Sequence, residues 1–317
     1  MLFPFSLYAD DTEARYALSS GFQAGILWGK GKEIVYPGII RRNSSPYVSE
    51  LLWDFKPLFY TGINLDYSPR NPFSSNGFHI SLDLKYGLPL NTGIIENRDW
   101  MANGHDYLTH YSRHDAFSDY SNVMADLAFG YSFALLESIW IKPYTELSFM
   151  RFSWFARDGY GQYGYSSPGI EFMPSLPGTS YQLMFSGKVI TYSQNWVILA
   201  IGFETGIKFN DNVNILLSTA MSPIVYGFHR DDHLHPSRQT TFLDFMFGGL
   251  YIKGALTLEY MFNRNIALSF SAAYMDVSRT RGDTYISYSG TPYIYYPNIA
   301  GAGFSFTDYS LGIRYIF

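Results

Sequence analysis

The chain of 317 residues carries a formal net charge of -5, no cysteine, 15% charged residues and 19% aromatic residues. Lack of cysteine excludes a disulfide scaffold and thiolate chemistry, and an acidic balance without basic clusters excludes a nucleic-acid partner. No run approaches the roughly 18 consecutive apolar residues of a membrane-spanning helix, yet the aromatic content exceeds that of an average soluble domain.

In chain order, the opening MLFPFSLYADD is compatible with the tail of a secretory signal peptide, residues 1–9, cleaved after Ala9, and equally with an ordinary first strand run. Residues 10–317 read as one domain, with no internal repeat or linker. From 78 onward Phe78, Ile80, Leu82, Leu84, Tyr86, Leu88 and Leu90 place even positions on one apolar face. In 197–209 Val197, Leu199, Ile201 and Phe203 alternate with Ala200, Gly202, Glu204 and, further on, Lys208; in 250–262 Leu256, Leu258 and Tyr260 alternate with Lys253, Thr257 and Glu259. The terminal DYSLGIRYIF sets Tyr309, Leu311, Ile313, Tyr315 and Phe317 against Ser310, Gly312 and Arg314. A period of two marks strands. The second face holds small residues and single charges, which suits a polar lumen with the apolar face turned to lipid. Unpaired backbone is not tolerated in hydrocarbon, so such strands must close.

The expected fold class is therefore all-β, an antiparallel transmembrane β-barrel of about ten strands. Asn210-Asp211-Asn212 and Asn263-Arg264-Asn265 are short turns; 37–46, 100–118, 158–186, 229–240 and 279–302 are expected as long loops on the other side. Runs of about 20 residues at about 3.3 Å each, tilted by about 45°, outreach an apolar band of about 25 Å, so the wall should project above the membrane on the long-loop side. Glu204, Lys208, Lys253, Glu259 and Arg314 should fill a narrow lumen, which disfavours a wide pore. The six Trp and many Tyr are expected as interfacial girdles.

The strand that begins at Phe78 continues into IENRDWM, and its phase turns Asn97 and Asp99 inward and Glu96 outward. In HRDDHLH, His229, Asp231, His233 and His235 share one parity. Below them Val213, Ile215 and Leu217 put odd positions towards lipid, so the phase must switch at a bulge near Pro223 or Gly227. An Asp two residues from a His on a strand orients the imidazole and favours its protonated form; His233 held by Asp231 is a candidate general base. Asp99, facing it across the barrel, completes a water-activating site. A metal site of His229, Asp231, His233 and His235 is a competing expectation. Arg281-Gly282-Asp283 spells an adhesion tripeptide, for which loop structure is the simpler account.

LWGKGKEIVY (27–36), VSELLWDF (48–55), RDWM (98–101), SRHD (112–115), RFSWFAR (151–157), RDDHLHP (230–236) and the GAGF through YIF terminus together resemble the omptin family of outer-membrane endopeptidases, nearly end to end. The resemblance implies a ten-stranded barrel with a groove at the extracellular rim, where two aspartates face an Asp-His pair and a water is activated to attack the peptide bond. It makes Asp231 and His233 that pair and Asp99 the second aspartate. The first aspartate falls on Asn97, which donates hydrogen bonds but accepts no proton. Glu33 falls on an acid of the pocket for a basic side chain, whereas the second acid of that pocket falls on His229, a weaker cation site. Arg or Lys at the cleaved bond is the specificity implied. Arg151 matches one of the family's lipopolysaccharide-binding positions, with Phe149 and Leu147 at the neighbouring acidic and tyrosine positions.

The resemblance further implies no cofactor and no metal, peptide or protein substrates, an outer-leaflet lipid as partner, and a monomer in the outer membrane of a diderm bacterium with the groove facing outward. The alternative is a barrel that has kept the groove, lost hydrolysis with Asn97, and serves as an adhesin or ligand-binding protein.

Overall fold

The computed structural model describes residues 15–37, 47–101, 108–164, 180–234, 239–278 and 280–317. The expected signal remnant at 1–9 and the expected ligand His235 lie outside the described residues. Among the described residues sixteen strands form one sheet: β1 (Tyr16–Val35), β2 (Ser49–Pro69), β3 (Gly77–Gly87), β4 (Asn91–Asp99), β5 (His110–Ser118), β6 (Val123–Leu136), β7 (Ile139–Gly164), β8 (Ser180–Met184), β9 (Lys188–Lys208), β10 (Val213–Ser222), β11 (Val225–His233), β12 (Thr240–Phe247), β13 (Leu250–Met261), β14 (Ile266–Ser278), β15 (Gly282–Tyr288) and β16 (Ile294–Ile316). All pairings are antiparallel, and β1 pairs with both β2 and β16, which closes the barrel.

Sixteen strands differ from the ten expected because six courses are interrupted. β3 and β4 both pair with β2, β5 and β6 with β7, β8 and β9 with β7, and β10 and β11 with β9. β12 and β13 pair with that last course, and β14 and β15 with β16. Several breaks fall on residues that cannot continue a ladder: Pro89, Pro223, Gly187 at φ 79°, and Gly248 and Gly249 at φ 93° and 95°. The long-loop expectation is also corrected: 110–118, 180–184, 229–233 and most of 282–302 are strand. Aromatic and glycine residues there build the upper wall.

Asn210 and Asn263 organise the short turns alike, each side chain accepting from the backbone N–H two and three residues on at 2.9 Å. The outer wall above them is apolar, with Phe78, Ile201 and Leu311 exposed. It ends at Trp28, Phe149, Val197 and Phe228; beyond these the outward positions are Lys30, Arg151, Asn195 and Arg230. The strands thus extend well past the apolar band.

Along β2 the inward residues give the interior in layers. Asp66, near the turns, pairs with His79; above it Tyr60 donates to Asp308 at 2.5 Å and Lys85 reaches the same carboxylate at 2.8 Å. Lys142–Glu204 at 2.8 Å, Lys253–Glu146 at 3.0 Å and Arg314–Glu259 span the same lower lumen. Next come Phe55 and Trp53, part of a buried aromatic cluster with Phe152, Trp154, Tyr192, Trp196, Phe304 and Phe306. Trp53, Trp154, Trp196 and, lower down, Trp140 are buried, and among the tryptophans of the described residues only Trp28 is exposed on the outer wall. The girdle expectation fails for Trp53, Trp154 and Trp196 because they turn into the ring cluster that fills the lumen above the ion pairs, and for Trp140 because it turns into the lower lumen under Lys142, whose Nζ lies 5.8 Å from its ring. Ser49 and Leu51 then lead into the groove above the cluster.

Candidate active site

β4 brings Ile95, Asn97 and Asp99 to the inner face, opposite Trp53, Leu51 and Ser49 of β2 and His114, Ser112 and His110 of β5. The odd phase survives the break after β3 because a bulge at Gly93, φ 120°, resets it after Thr92 turns inward. Asp99 is fixed at the end of the ladder: its carbonyl accepts from the Thr109 N–H at 2.8 Å and hydroxyl at 2.9 Å. Asn97 Nδ2 donates to Asp99 Oδ2 at 3.3 Å while Asn97 Oδ1 accepts from Ser49 at 3.3 Å. Burial raises the Asp99 carboxyl above its ordinary value, against the hydrogen bonds of Ser49 and Asn97 and the charges of His110 and His233.

On the other wall the phase switch falls at Pro223. Ala220 and Ser222 are buried on β10, then Val225, Gly227, His229 and Asp231 on β11. One residue more between the two strands exchanges the faces. His233 Nε2 donates to Asp231 Oδ2 at 2.7 Å, which places the proton on Nε2, since a carboxylate only accepts. Burial pushes the imidazole down, but the charge and hydrogen bond of Asp231 with the charges of Asp99 and Asp232 hold its pKa above the ordinary value. Asp99 and His233 therefore sense each other across the groove. Arg230 faces outward and clamps Asp232 at 2.7 Å and 3.0 Å.

Glu33 and His229 lie deeper. Glu33 is 4% exposed, its Oε2 lacks a hydrogen-bond partner among the described residues, and burial with the Asp231 and Asp244 charges raises it. His229 is fully buried, edge-on to Trp196 at 4.5 Å, with Nδ1 3.2 Å from the Tyr192 hydroxyl. Burial alone brings it down to about 3, so it is neutral. His229 and His233 engage different partners rather than converging on one point. Arg151 sits on the outer wall and donates to Asn195 at 2.7 Å, beside exposed Phe149 and Leu147. Arg281 stacks on Tyr36 at 4.4 Å, and Asp283 accepts from Tyr295 and the Asn298 N–H at 2.9 Å each, so the tripeptide is consumed in wall structure.

Sequence reasoning missed His110, Ser112 and His114 as groove residues, although their shared parity in HYSRH was visible. It also missed Asp244, which pairs with His229 across β11 and β12. A cavity of about 760 Å³ opens at the turn end, lined by His79, Asp83, Lys142, Glu204 and Arg314 among others; it holds none of the sequence-predicted site residues.

The omptin family model matches residues 14–317. A search of curated proteins finds no match. Among solved structures, the outer membrane protease OmpT from Escherichia coli is 20% identical, covering 95% of this chain and 97% of that one with a TM-score of 0.81. The P. putida toluene transporter TodX, at 7% identity over 98% of this chain and 91% of its own, reaches a TM-score of only 0.30. At 20% identity the first likeness speaks for the fold. With a family match from residue 14 to the last strand, the chain belongs to the omptin family and is an outer-membrane β-barrel protein.

Proposed function

We propose that this protein is an endopeptidase whose groove faces the cell exterior and whose His233 activates a water for attack on a peptide bond. The observation that carries this reading is the 2.7 Å bond from His233 to the buried Asp231, opposite Asp99. A water between the two walls gives a proton to the ring nitrogen that Asp231 leaves free. Its oxygen attacks the carbonyl carbon, and Asp231 stabilises the imidazolium formed. The imidazolium then returns its proton to the leaving amine as the C–N bond breaks. Asp99 orients the water, and Asn97, an amide in place of a carboxylate, contributes N–H donors for water or oxyanion. Glu33 favours a basic side chain at the cut. Arg151 serves an outer-leaflet lipid headgroup, with the apolar Phe149 and Leu147 beside it.

Mass-spectrometric mapping of a peptide library incubated with the refolded barrel, with and without lipopolysaccharide, tests this. Wild type should cut, and His233→Ala should lose about 10²- to 10⁴-fold in rate. Equal cutting by both proteins would remove His233 from the mechanism. No cutting by wild type in any lipid would favour the second reading, a groove that binds without hydrolysis, for which the uncharged Asn97 is the motivating feature.

A further inference from the structure

His229, Asp244 and Thr284 lie side by side on β11, β12 and β15. All three are buried, at 0%, 5% and 3% exposure, and face the interior that Glu33 enters from β1. The Thr284 hydroxyl donates to Asp244 Oδ1. Neither Glu33 nor Asp244 has a cationic partner among the described residues, whereas Lys32, next to Glu33, is turned away to Glu50 at 3.3 Å. Glu33 Oε2 and Asp231 Oδ1 are buried without a hydrogen-bond partner there. Such a carboxyl stays ionised only at a cost unless a cation joins it.

The surroundings suit a cation with a flat or extended stem. Trp53, Trp154 and Tyr192 stack with ring centroids 5.7, 5.4 and 6.0 Å apart. A Cβ at Gly31, two residues before Glu33, would stand 2.9 Å from the Trp154 ring, so this aromatic stack lies just beneath the acid. Aromatic faces attract guanidinium and ammonium groups. Tyr192 senses the charges of Glu33, Asp244 and Asp231 together, which gathers the three acids around one point. His229, being neutral, adds no repulsion.

We infer that Asp244 supplies the second carboxylate of the side-chain pocket, so that Glu33 and Asp244 together hold the guanidinium or ammonium of a basic substrate residue. The charge that the position of His229 lacks is provided from the adjacent strand. Asp244 is thus a specificity-determining residue, and this rests on the peptidase reading only for the identity of the ligand as a substrate side chain.

Binding of N-acetylarginine amide and N-acetylnorleucine amide to the refolded barrel, followed by fluorescence of the Trp53–Trp154 stack, tests the assignment without requiring cleavage. Wild type should prefer the arginine compound. Asp244→Asn should weaken that compound by about tenfold or more and leave the norleucine compound unchanged; His229→Asp added to Asp244→Asn should restore the preference and so show that the fold is intact. Unchanged arginine binding in Asp244→Asn, or no preference in wild type, overturns the inference. A barrel that binds arginine amide through Asp244 yet cuts no peptide keeps this inference and sinks the peptidase reading. One that cuts at basic residues without needing Asp244 does the reverse.

Discussion

At His233 two opposed effects decide the working pH. Desolvation favours the neutral ring, and the Asp231 carboxylate favours the charged one and prevails. A general base works only when unprotonated, so the acid limb of kcat/KM should lie above the ordinary histidine value. Asp231→Asn removes the largest upward cause, so the limb should move to lower pH while the plateau falls. A pH–rate profile in which the limb stays put or moves up would show that Asp231 does not set the His233 charge. Asn97, Asp99, Asp231 and His233 were legible because the motifs that hold them resemble a known family and share one parity within each segment, although the inward phase of Asp231 and His233 required a switch below them. Asp244 was not, because a lone acid in TTFLDFMF carries no periodic signal; only the pairing of β11 with β12 puts it beside His229.

Among elements, the interruptions matter more than the strands. Apolar alternation was plain in β3, β9, β13 and β16, yet the breaks at Pro89, Pro223 and Gly248–Gly249 decide which side chains reach the groove. The phase conflict below His229 pointed to Pro223, since two incompatible parities need an extra residue between them. Gly93 gave no such warning. Its φ of 120° suits glycine, and a Cβ there would meet Asp54 Cβ at 2.8 Å. Gly93→Ala should therefore cost about 1–3 kcal/mol and displace Asn97 and Asp99, lowering the rate without changing which bonds are cut. Thermal unfolding in detergent and the cleavage map check this; wild-type values for both would mean that the bulge does not place the site.

For the whole molecule, closure, lipid-facing residues and a wall taller than the apolar band followed from the alternation and from strand length. The interior did not, because the sequence cannot tell a ring that meets lipid interface from one that meets another ring across the lumen. Trp53, Trp154 and Trp196 pack in that second way. Beneath them the Lys253–Glu146, Lys142–Glu204 and Lys85–Asp308 pairs bridge the lumen. Planar-bilayer recording should accordingly show no steady conductance for wild type, and a stable open channel would mean that the plug of rings and ion pairs is not closed.

The central claim is that His233, facing Asp99 and an amide at Asn97, hydrolyses peptide bonds, and the comparison of kcat/KM for wild type, His233→Ala and Asn97→Asp on one basic peptide tests it most directly. The account predicts measurable turnover by wild type, loss of it in His233→Ala, and a higher rate in Asn97→Asp as a second carboxylate joins Asp99. Turnover confined to Asn97→Asp, with wild type as inert as His233→Ala, would contradict it.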